Sequence, residues 1–372
     1  MKVAIIGGKL QGIEAAYLAN KAGIESLLID KNNNPPAMGL CDDFLCCDVL
    51  LKEDKFIEKL KEVDFILPAI ENIDVLETLD EISKENNFKL AFDLHSYSIS
   101  SSKLLSDEFI HNHNIPAPRY YPNCNAPYIA KPSSSSGSEG VRRIDDAREM
   151  EVFLREVWAE EKWVVQELLT GQSYSIEIIG KPGYYRTYEI TEIHMDEGYD
   201  CKKVTAPCNI TEKQKNGFQH MAITLANIVG LNGIMDVEVI DDAGEFKVLE
   251  IDARIPSQTP TVVYHTSGMN LVEEIMDLNC SGQFKTEYKP HKKFASFEHF
   301  LIHDGKITEH GEHIMGEAGP LKLRENFFGA NEVLSDYWED KIPWRGTFIN
   351  WADSEEELEA KRMNMKRLLQ VK

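Results

Sequence analysis

Apolar and polar positions change their period several times along the chain, and each change marks an element. Residues 2–6 form a short apolar run, followed by Gly7-Gly8-Lys9-Leu10-Gln11-Gly12 and by Ile13, Ala16, Tyr17 and Ala19 at helical spacing. A second apolar run at 26–29 ends on Asp30, so the chain opens as a βαβ unit. Residues 65–71 predict another buried strand that leaves Glu71 near its carboxyl end, with a helix over 72–79. A strand is expected at 90–92, and Ser100-Ser101-Ser102-Lys103 caps and starts a helix through Phe109 and Ile110. Strands follow at 128–132, 163–169, 173–179 and 187–195. Asp145 or Asp146 caps a helix through Val152, Phe153 and Val157, and a second helix over 218–229 ends near Gly230. Residues 271–350 read as short strands and loops, and Ser354-x-x-Glu357 is a capping box opening a last helix to about residue 369.

The most informative stretch is Gly233-Ile-Met-Asp-Val-Glu-Val-Ile, then Asp241-Asp242-Ala243-Gly244, then Phe246 and Lys247-Val-Leu-Glu-Ile-Asp-Ala-Arg. It predicts a β-hairpin with its turn at 241–244. Residues two apart on a strand share a face, so Asp236 and Glu238 go together on one arm and Glu250, Asp252 and Arg254 on the other. If the two faces coincide, four carboxylates and a guanidinium meet. Four unpaired carboxylates at that density do not all stay ionised without a cation, and oxygen-only ligands favour Mg²⁺ over Zn²⁺. The arginine's planar fork suits a phosphate or carboxylate. A solvated hairpin face is the alternative, and Arg254-Ile-Pro-Ser at its end argues against it.

Length and composition narrow the rest. The chain has 372 residues, which predicts two or three compact units. A net charge of −22 argues against nucleic acid and anionic membrane surfaces as partners, but not against a small phosphate ligand. Seven cysteines without a CxxC pair read as reduced thiols in a cytoplasm. Met1-Lys2-Val3 runs straight into a strand, so no signal peptide is expected, and no apolar run approaches membrane-spanning length.

Two further segments carry chemistry. Tyr128-Ile-Ala-Lys131-Pro leads into Ser133-Ser-Ser-Ser-Gly-Ser-Glu-Gly140, a turn suited to a flap that cradles phosphates, since Val141-Arg-Arg-Ile resumes ordered structure at once. The loop Gly7 to Gly12 has Lys9 where a dinucleotide fingerprint needs glycine. A nicotinamide-dependent dehydrogenase using this loop and Asp30 is therefore a weaker reading, and it leaves the hairpin acids unexplained.

In order, Lys103, Lys131, the Ser/Gly turn, Gln166-Glu167-Leu168-Leu169, Glu238 and Glu250-x-Asp252-x-Arg254 resemble the ATP-grasp superfamily over nearly the whole chain. The resemblance implies an ATP-grasp fold, α/β and α+β, preceded by a Rossmann-like domain. The units would be 1–90, a lid subdomain over 91–165 and a catalytic subdomain over 166–372. Many members read Glu-x-Asn-x-Arg on the second arm, and Asp252 here keeps an oxygen ligand. Likeness to carbamoyl-phosphate synthetase puts the first metal ligand at Glu238, whereas alignment to D-alanine–D-alanine ligase puts it at Asp236. Closer still, Met1-Lys-Val-Ala-Ile-Ile-Gly-Gly-Lys-Leu-Gln-Gly, Ala91-Phe-Asp-Leu-His-Ser-Tyr and Leu249-Glu-Ile-Asp-Ala-Arg-Ile-Pro-Ser-Gln-Thr-Pro resemble the ATP-grasp ligases of pyrrolysine biosynthesis. Those ligases join 3-methyl-D-ornithine to L-lysine.

The resemblance implies ATP and Mg²⁺. Glu238, Glu250 and Asp252 would hold the metal. Lys103, Lys131 and Ser138 would meet phosphates, and Gln166, Glu167, Leu168 and Leu169 the adenosine. Arg254 would hold the substrate carboxylate and then the acylphosphate, with Lys131 beside it in catalysis. Glu177, Asp236, Ser257 and Thr259 would face the diamino acid. For L-lysine, the N–H groups of Leu10 and Gln11 at a helix start suit its carboxylate, and Glu71 its α-ammonium. A second nucleotide on the Gly7 to Gly12 loop is the competing occupant.

Overall fold

The computed structural model describes residues 1–133, 140–157, 163–285, 293–304, 306–339 and 341–370. Four parallel strands open the chain: β1 (Lys2–Ile6), β2 (Glu25–Asp30), β3 (Asp43–Cys46) and β4 (Phe65–Pro68), in the order β3-β2-β1-β4. Helices α1 (Leu10–Lys21), α2 (Asp54–Leu60) and α3 (Ile73–Asn86) connect and cover them. Val3, Ala4 and Ile5 are fully buried, as a parallel strand packed on both faces requires. Gly7 has φ +102°, and a Cβ there would stand 2.6 Å from the Ala69 carbonyl oxygen. A Cβ on Gly12 would stand 2.2 Å from the Gly7 carbonyl oxygen, so both glycines seat α1 against the strand ends.

Helices α4 (Leu94–Ser100) and α5 (Lys103–Asn112) lead to a second, antiparallel sheet of β5 (Tyr128–Pro132), β6 (Arg142–Ile144) and, after α6 (Ala147–Val157), β7 (Trp163–Glu167). Ser102 caps α5, its hydroxyl accepting from the Leu105 N–H. The strand expected at 90–92 does not form. Leu90 makes a single bridge to Ile66, and Asp93 then caps α4 by accepting from the His95 and Ser96 N–H groups. A local cap outcompetes extension at a sheet edge.

The third part is an eleven-stranded antiparallel sheet. Its elements are β8 (Ser173–Lys181), β9 (Tyr184–Thr187), β10 (Thr191–Met195), β11 (Cys201–Ala206), α7 (Glu212–Val229), β12 (Gly233–Asp242), β13 (Glu245–Asp252), α8 (Thr259–Ser267), α9 (Leu271–Ser281), β14 (Phe294–His303), β15 (Lys306–Glu309), α10 (His313–Gly316), β16 (Lys322–Glu325), β17 (Glu332–Ser335), β18 (Trp344–Ala352) and α11 (Glu355–Gln370). The strand order is β13-β12-β8-β10-β11-β14-β18-β17-β16, with β9 on β8 and β15 on β14. Three expectations need correction. The hairpin turn is shorter than 241–244: only Ala243 (φ 55°) and Gly244 (φ 94°) leave the strands, both left-handed, which matches the twist of the two arms. The run 187–195 is broken between β9 and β10. The stretch 271–350 is not short strands and loops, because it carries α9 and the long strands β14 and β18. Helix α9 carries apolar residues at 271, 272, 275, 276 and 278, which is helical spacing, and Asn270 caps it by accepting from the Val272 and Glu273 N–H groups. All seven cysteines are free thiols. No helix among the described residues is long and apolar enough to cross a membrane.

Helix α1 is bolted to the large sheet's helices. Glu14, buried, accepts from the Thr261 N–H in the first turn of α8 at 2.5 Å. Tyr17 donates to Glu332 at 2.6 Å, and Asn270 donates to the Leu18 carbonyl at 2.8 Å. Burial pushes the Glu14 carboxyl up to about 8, against the hydrogen bonds from Thr261 and Gln258. An acid raised on folding binds its proton more tightly folded than unfolded. Its contribution is whole below the ordinary value of 4.5 and is lost as pH rises through about 8. Glu14→Gln is therefore expected to lose less of its denaturant midpoint than the parent between about pH 5 and about pH 8.5. Identical declines in the two proteins would refute this.

Candidate active site

The site grows from the position of β12 between β8 and β13. Pairing sets Asp236 opposite Glu177 on one side and Asp252 on the other, and Glu238 opposite Ser175 and Glu250. Directly opposed residues share a face, so the two arms do present their acids together, and Glu177 joins them. A bulge between Glu238 and Val239 lets Leu249 pass unpaired and keeps both acid rows aligned.

Cations come from elsewhere in the chain. Lys103, at the start of α5, places Nζ 2.6 Å from Glu250 Oε1. Arg254 Nη2 lies 3.0 Å from Asp252 Oδ2 and 2.7 Å from Glu71 Oε1. Gln11 Nε2 donates to the same Glu71 oxygen at 2.7 Å. Lys131 on β5 belongs to the other sheet, yet its charge reaches Glu238 and Glu250.

Burial dominates the acids' electrostatics. It pushes Asp236 well above the carboxylate range, with Asp252 and Glu238 adding to it. Glu238 is pushed up to about 7 by burial and then by Glu250 and Asp252. Asp252 is also pushed up to about 7 by burial, although Arg254 opposes this. Burial also acts on Glu250, but Lys103 and Lys131 outweigh it and hold that carboxyl below its ordinary value. Burial lifts Glu177 to about 7, and the nearby Thr259 hydroxyl, which closes no hydrogen bond to it, offsets only part of this. Neither Glu177 oxygen, nor Asp236 Oδ1, nor Arg254 Nε completes a hydrogen bond among the described residues. Buried polar atoms left open in this way call for a cation or an ammonium on the acids and an anion on the arginine.

Two cavities meet here. The inner one, about 120 Å³, is lined by Asp236, Glu238, Glu250, Asp252, Ser257 and Thr259. The outer one, about 840 Å³, runs between the carboxyl ends of the first sheet, where Leu10, Gln11 and Glu71 lie, and the segments near Asp196 and His313. Asp200, Arg254 and Glu312 line both. Glu71 is in direct contact with Arg254 where the outer cavity meets it.

The other expected residues fall as follows. Ser257 donates to Glu312 Oε2 at 2.6 Å. Glu167 ends β7 with its carboxylate clamped by Arg119 (3.0 and 2.7 Å) and Lys247 (3.2 Å). The N–H groups of Glu167 and Leu168 donate to the Arg119 and Pro127 carbonyls, both at 2.9 Å, so the Glu167 carboxylate and these two amides are committed within the protein. Gln166 is buried in β7, and Leu169 lies just beyond that strand. Ser133 docks the start of the expected flap on α5, its carbonyl accepting from the Lys103 N–H at 3.1 Å. Ser138 and the rest of 134–139 lie outside the described residues. Asp30 accepts from the Gly8 N–H at 2.7 Å and the Asn32 N–H at 2.8 Å, so it braces the loop that a dinucleotide would need. Asp200, Glu312 and His313 went unnoticed in the sequence. They sit on connections between strands, where no alternation points to a face, and His310-Gly-Glu-His313 was the one available signal.

Residues 100–258 match the family model described as the ATP-grasp domain. The structure superposes on a biotin carboxylase from Campylobacter jejuni with a TM-score of 0.75 at 13% identity, covering 99% of this chain and 94% of that one. The fold is accordingly that of the ATP-grasp enzymes. A relative in Methanosarcina acetivorans, named 3-methyl-D-ornithine–L-lysine ligase, is 34% identical over 362 residues, 97% of this chain and 95% of its own. One of the same name in Methanosarcina barkeri is 36% identical over 315 residues, 84% of this chain and 83% of its own. The chain belongs to this family of ligases.

Proposed function

We propose that the protein is the ATP-dependent ligase that joins the carboxylate of 3-methyl-D-ornithine to the ε-amine of L-lysine, giving 3-methyl-D-ornithyl-Nε-L-lysine for pyrrolysine biosynthesis. The observation that carries this reading is the face of β8, β12 and β13 on which Glu177, Asp236, Glu238, Glu250 and Asp252 gather, bounded by Lys103 and Arg254. A carboxylate does not react with an amine at useful rates in water, because its oxygen is a poor leaving group. Phosphorylation by ATP turns it into an acylphosphate that an amine can displace. On this reading Arg254 orients the carboxylate and then holds the acylphosphate, and Lys103 and Lys131 meet phosphate oxygens. The flap containing Ser138 would cover the phosphates and exclude water, and the carbonyl groups of the Gln166 to Leu169 segment would meet the adenine. The diamino acid brings two ammonium groups, and Glu177 and Asp236, both with open oxygens, are suited to them, with Ser257 and Thr259 beside them.

Glu238, Glu250 and Asp252, with Asp236 as the alternative first member, are the proposed Mg²⁺ ligands. Among the described residues no three acid, histidine or cysteine side chains form a ready-made metal cage. Mg²⁺ completes its shell with substrate phosphates and water, so the protein's carboxylates need not close around it by themselves. Bound there, it would neutralise charge on the β- and γ-phosphates. The first sheet is read as a Rossmann-like domain over 1–90, followed by a lid over 91–165 and a catalytic part over 166–372, in the cytoplasm. The test is product release: ADP and phosphate are expected only when both amino acids are present. NADH oxidation without ATP consumption would favour the dehydrogenase instead.

L-Lysine is placed in the outer cavity, its carboxylate on the Leu10 and Gln11 N–H groups and its α-ammonium on Glu71. Glu71→Gln is expected to raise the Michaelis constant for L-lysine by about one to two powers of ten, the worth of one charged hydrogen bond. The ATP constant should hardly move. Because Glu71 also touches Arg254, the methylornithine constant should rise as well, by less. Titrating each substrate in turn decides: an effect on ATP alone, or equal effects on all three, removes this placement.

A further inference from the structure

Lysine's ε-amine is an ammonium at neutral pH, with an ordinary pKa near 10.4, and an ammonium has no lone pair with which to attack. Something must take its proton as it approaches the acyl carbon. The outer cavity contains an unassigned acid–imidazole pair. His313 Nδ1 hydrogen-bonds Asp200 Oδ2, and the His313 backbone N–H reaches the same oxygen at 3.2 Å. Asp200 is buried and is itself held by its N–H donating to Asp196 Oδ1 at 3.0 Å, in a turn that the Gly198 N–H closes at 2.7 Å. The opposite wall is cut to fit: a Cβ at Gly311 would stand 1.9 Å from Asp200 Oδ2 and 2.0 Å from its Cγ. Asp200 lines both cavities, with Arg254 and Glu312, so the pair stands where an amine from the outer cavity meets an acyl group on Arg254. A carboxylate on Nδ1 fixes the tautomer and leaves Nε2 as the acceptor. The His313 side chain is 58% exposed, so it can pass a proton on to solvent.

We propose that His313, oriented by Asp200, is the general base that takes the proton from the ε-ammonium of L-lysine. The assignment rests on the ligase reading above. Nε2 accepts one ammonium proton. The freed lone pair forms the C–N bond, the C–O bond to phosphate breaks, and the second nitrogen proton leaves with the departing phosphate. Imidazolium then returns its proton to water. Among the described residues, His310 faces this ring with centroids 6.3 Å apart, His299 on β14 lies within its electrostatic reach, and Lys9, Asp196, Glu312 and Glu317 line the same cavity.

The test separates acylphosphate formation from its capture. Hydroxylamine is already neutral at pH 7 and traps the acylphosphate as a hydroxamate without a base. His313→Asn should lower kcat with L-lysine about a hundredfold, the lower end of what general-base catalysis contributes. Hydroxamate formation from methylornithine, ATP and hydroxylamine should stay within about twofold of the parent, and the variant's ligation rate should climb with pH as lysine loses its own proton. Parallel loss of both reactions would make His313 structural and overturn the proposal. Unchanged ligation, or a shift in the lysine Michaelis constant with kcat kept, would overturn it too. A parent enzyme that forms no hydroxamate at all would remove the ligase reading, and this assignment with it.

Discussion

Glu250→Gln is expected to abolish ligation while leaving the fold intact. Glutamine keeps the volume and removes the charge, and the charge is what this position supplies. Glu250 is the acid of the cluster held below its ordinary pKa, by Lys103 and Lys131, so it enters the reaction ionised. Its neighbours Glu238 and Asp252 are pushed the other way and depend on a cation to ionise with it. Removing the charge weakens the cation site and strands the Lys103 ammonium, whose partner 2.6 Å away becomes neutral. A loss of about a hundredfold or more in kcat is expected, the scale of removing one preorganised electrostatic group. The measurement is turnover at saturating Mg²⁺ beside a denaturation curve. Turnover near the parent's would take Glu250 out of the metal site, and a collapsed denaturation midpoint would show that the fold was the casualty.

Arg254→Lys should fail nearly as badly. Arg254 is partly buried where the two cavities join, and a single Nη2 reaches both Asp252 and Glu71. Those acids raise the guanidinium's pKa further, against burial, so charge is never in question. What lysine loses is the fork. A point ammonium cannot hold Asp252 and Glu71 and still offer two parallel donors to a carboxylate. Each charged hydrogen bond lost costs about 1.5–3 kcal/mol, so kcat/KM should fall by about two powers of ten or more. The loss should appear in hydroxamate formation as well as in ligation, because clamping precedes both steps. If Arg254→Lys keeps most of its activity, carboxylate clamping is the wrong role for this residue.

Much of this protein was written in local pattern. Alternation along 233–240 and 247–254 is a period-two signal, and a period-two signal fixes which side chains share a face without reference to the rest of the molecule. The hairpin, its shared acid face, the cap at Ser102 and the βαβ opening were therefore legible in the sequence. What no local period carries is register between distant strands and the docking of one unit on another. Nothing near Glu177 says that it stands opposite Asp236. Lys103 meets Glu250 from 147 residues away, Arg254 meets Glu71 across two sheets, and Asp200 meets His313 from 113 residues away. These contacts follow from burying α1 against α8 and from stacking eleven strands in one order, and burial is a property of the whole chain. The sequence by itself determined which side chains share the hairpin face; the tertiary structure decided which cations face them, where the second cavity opens and that Asp200, joining the two cavities, meets His313 in the outer one.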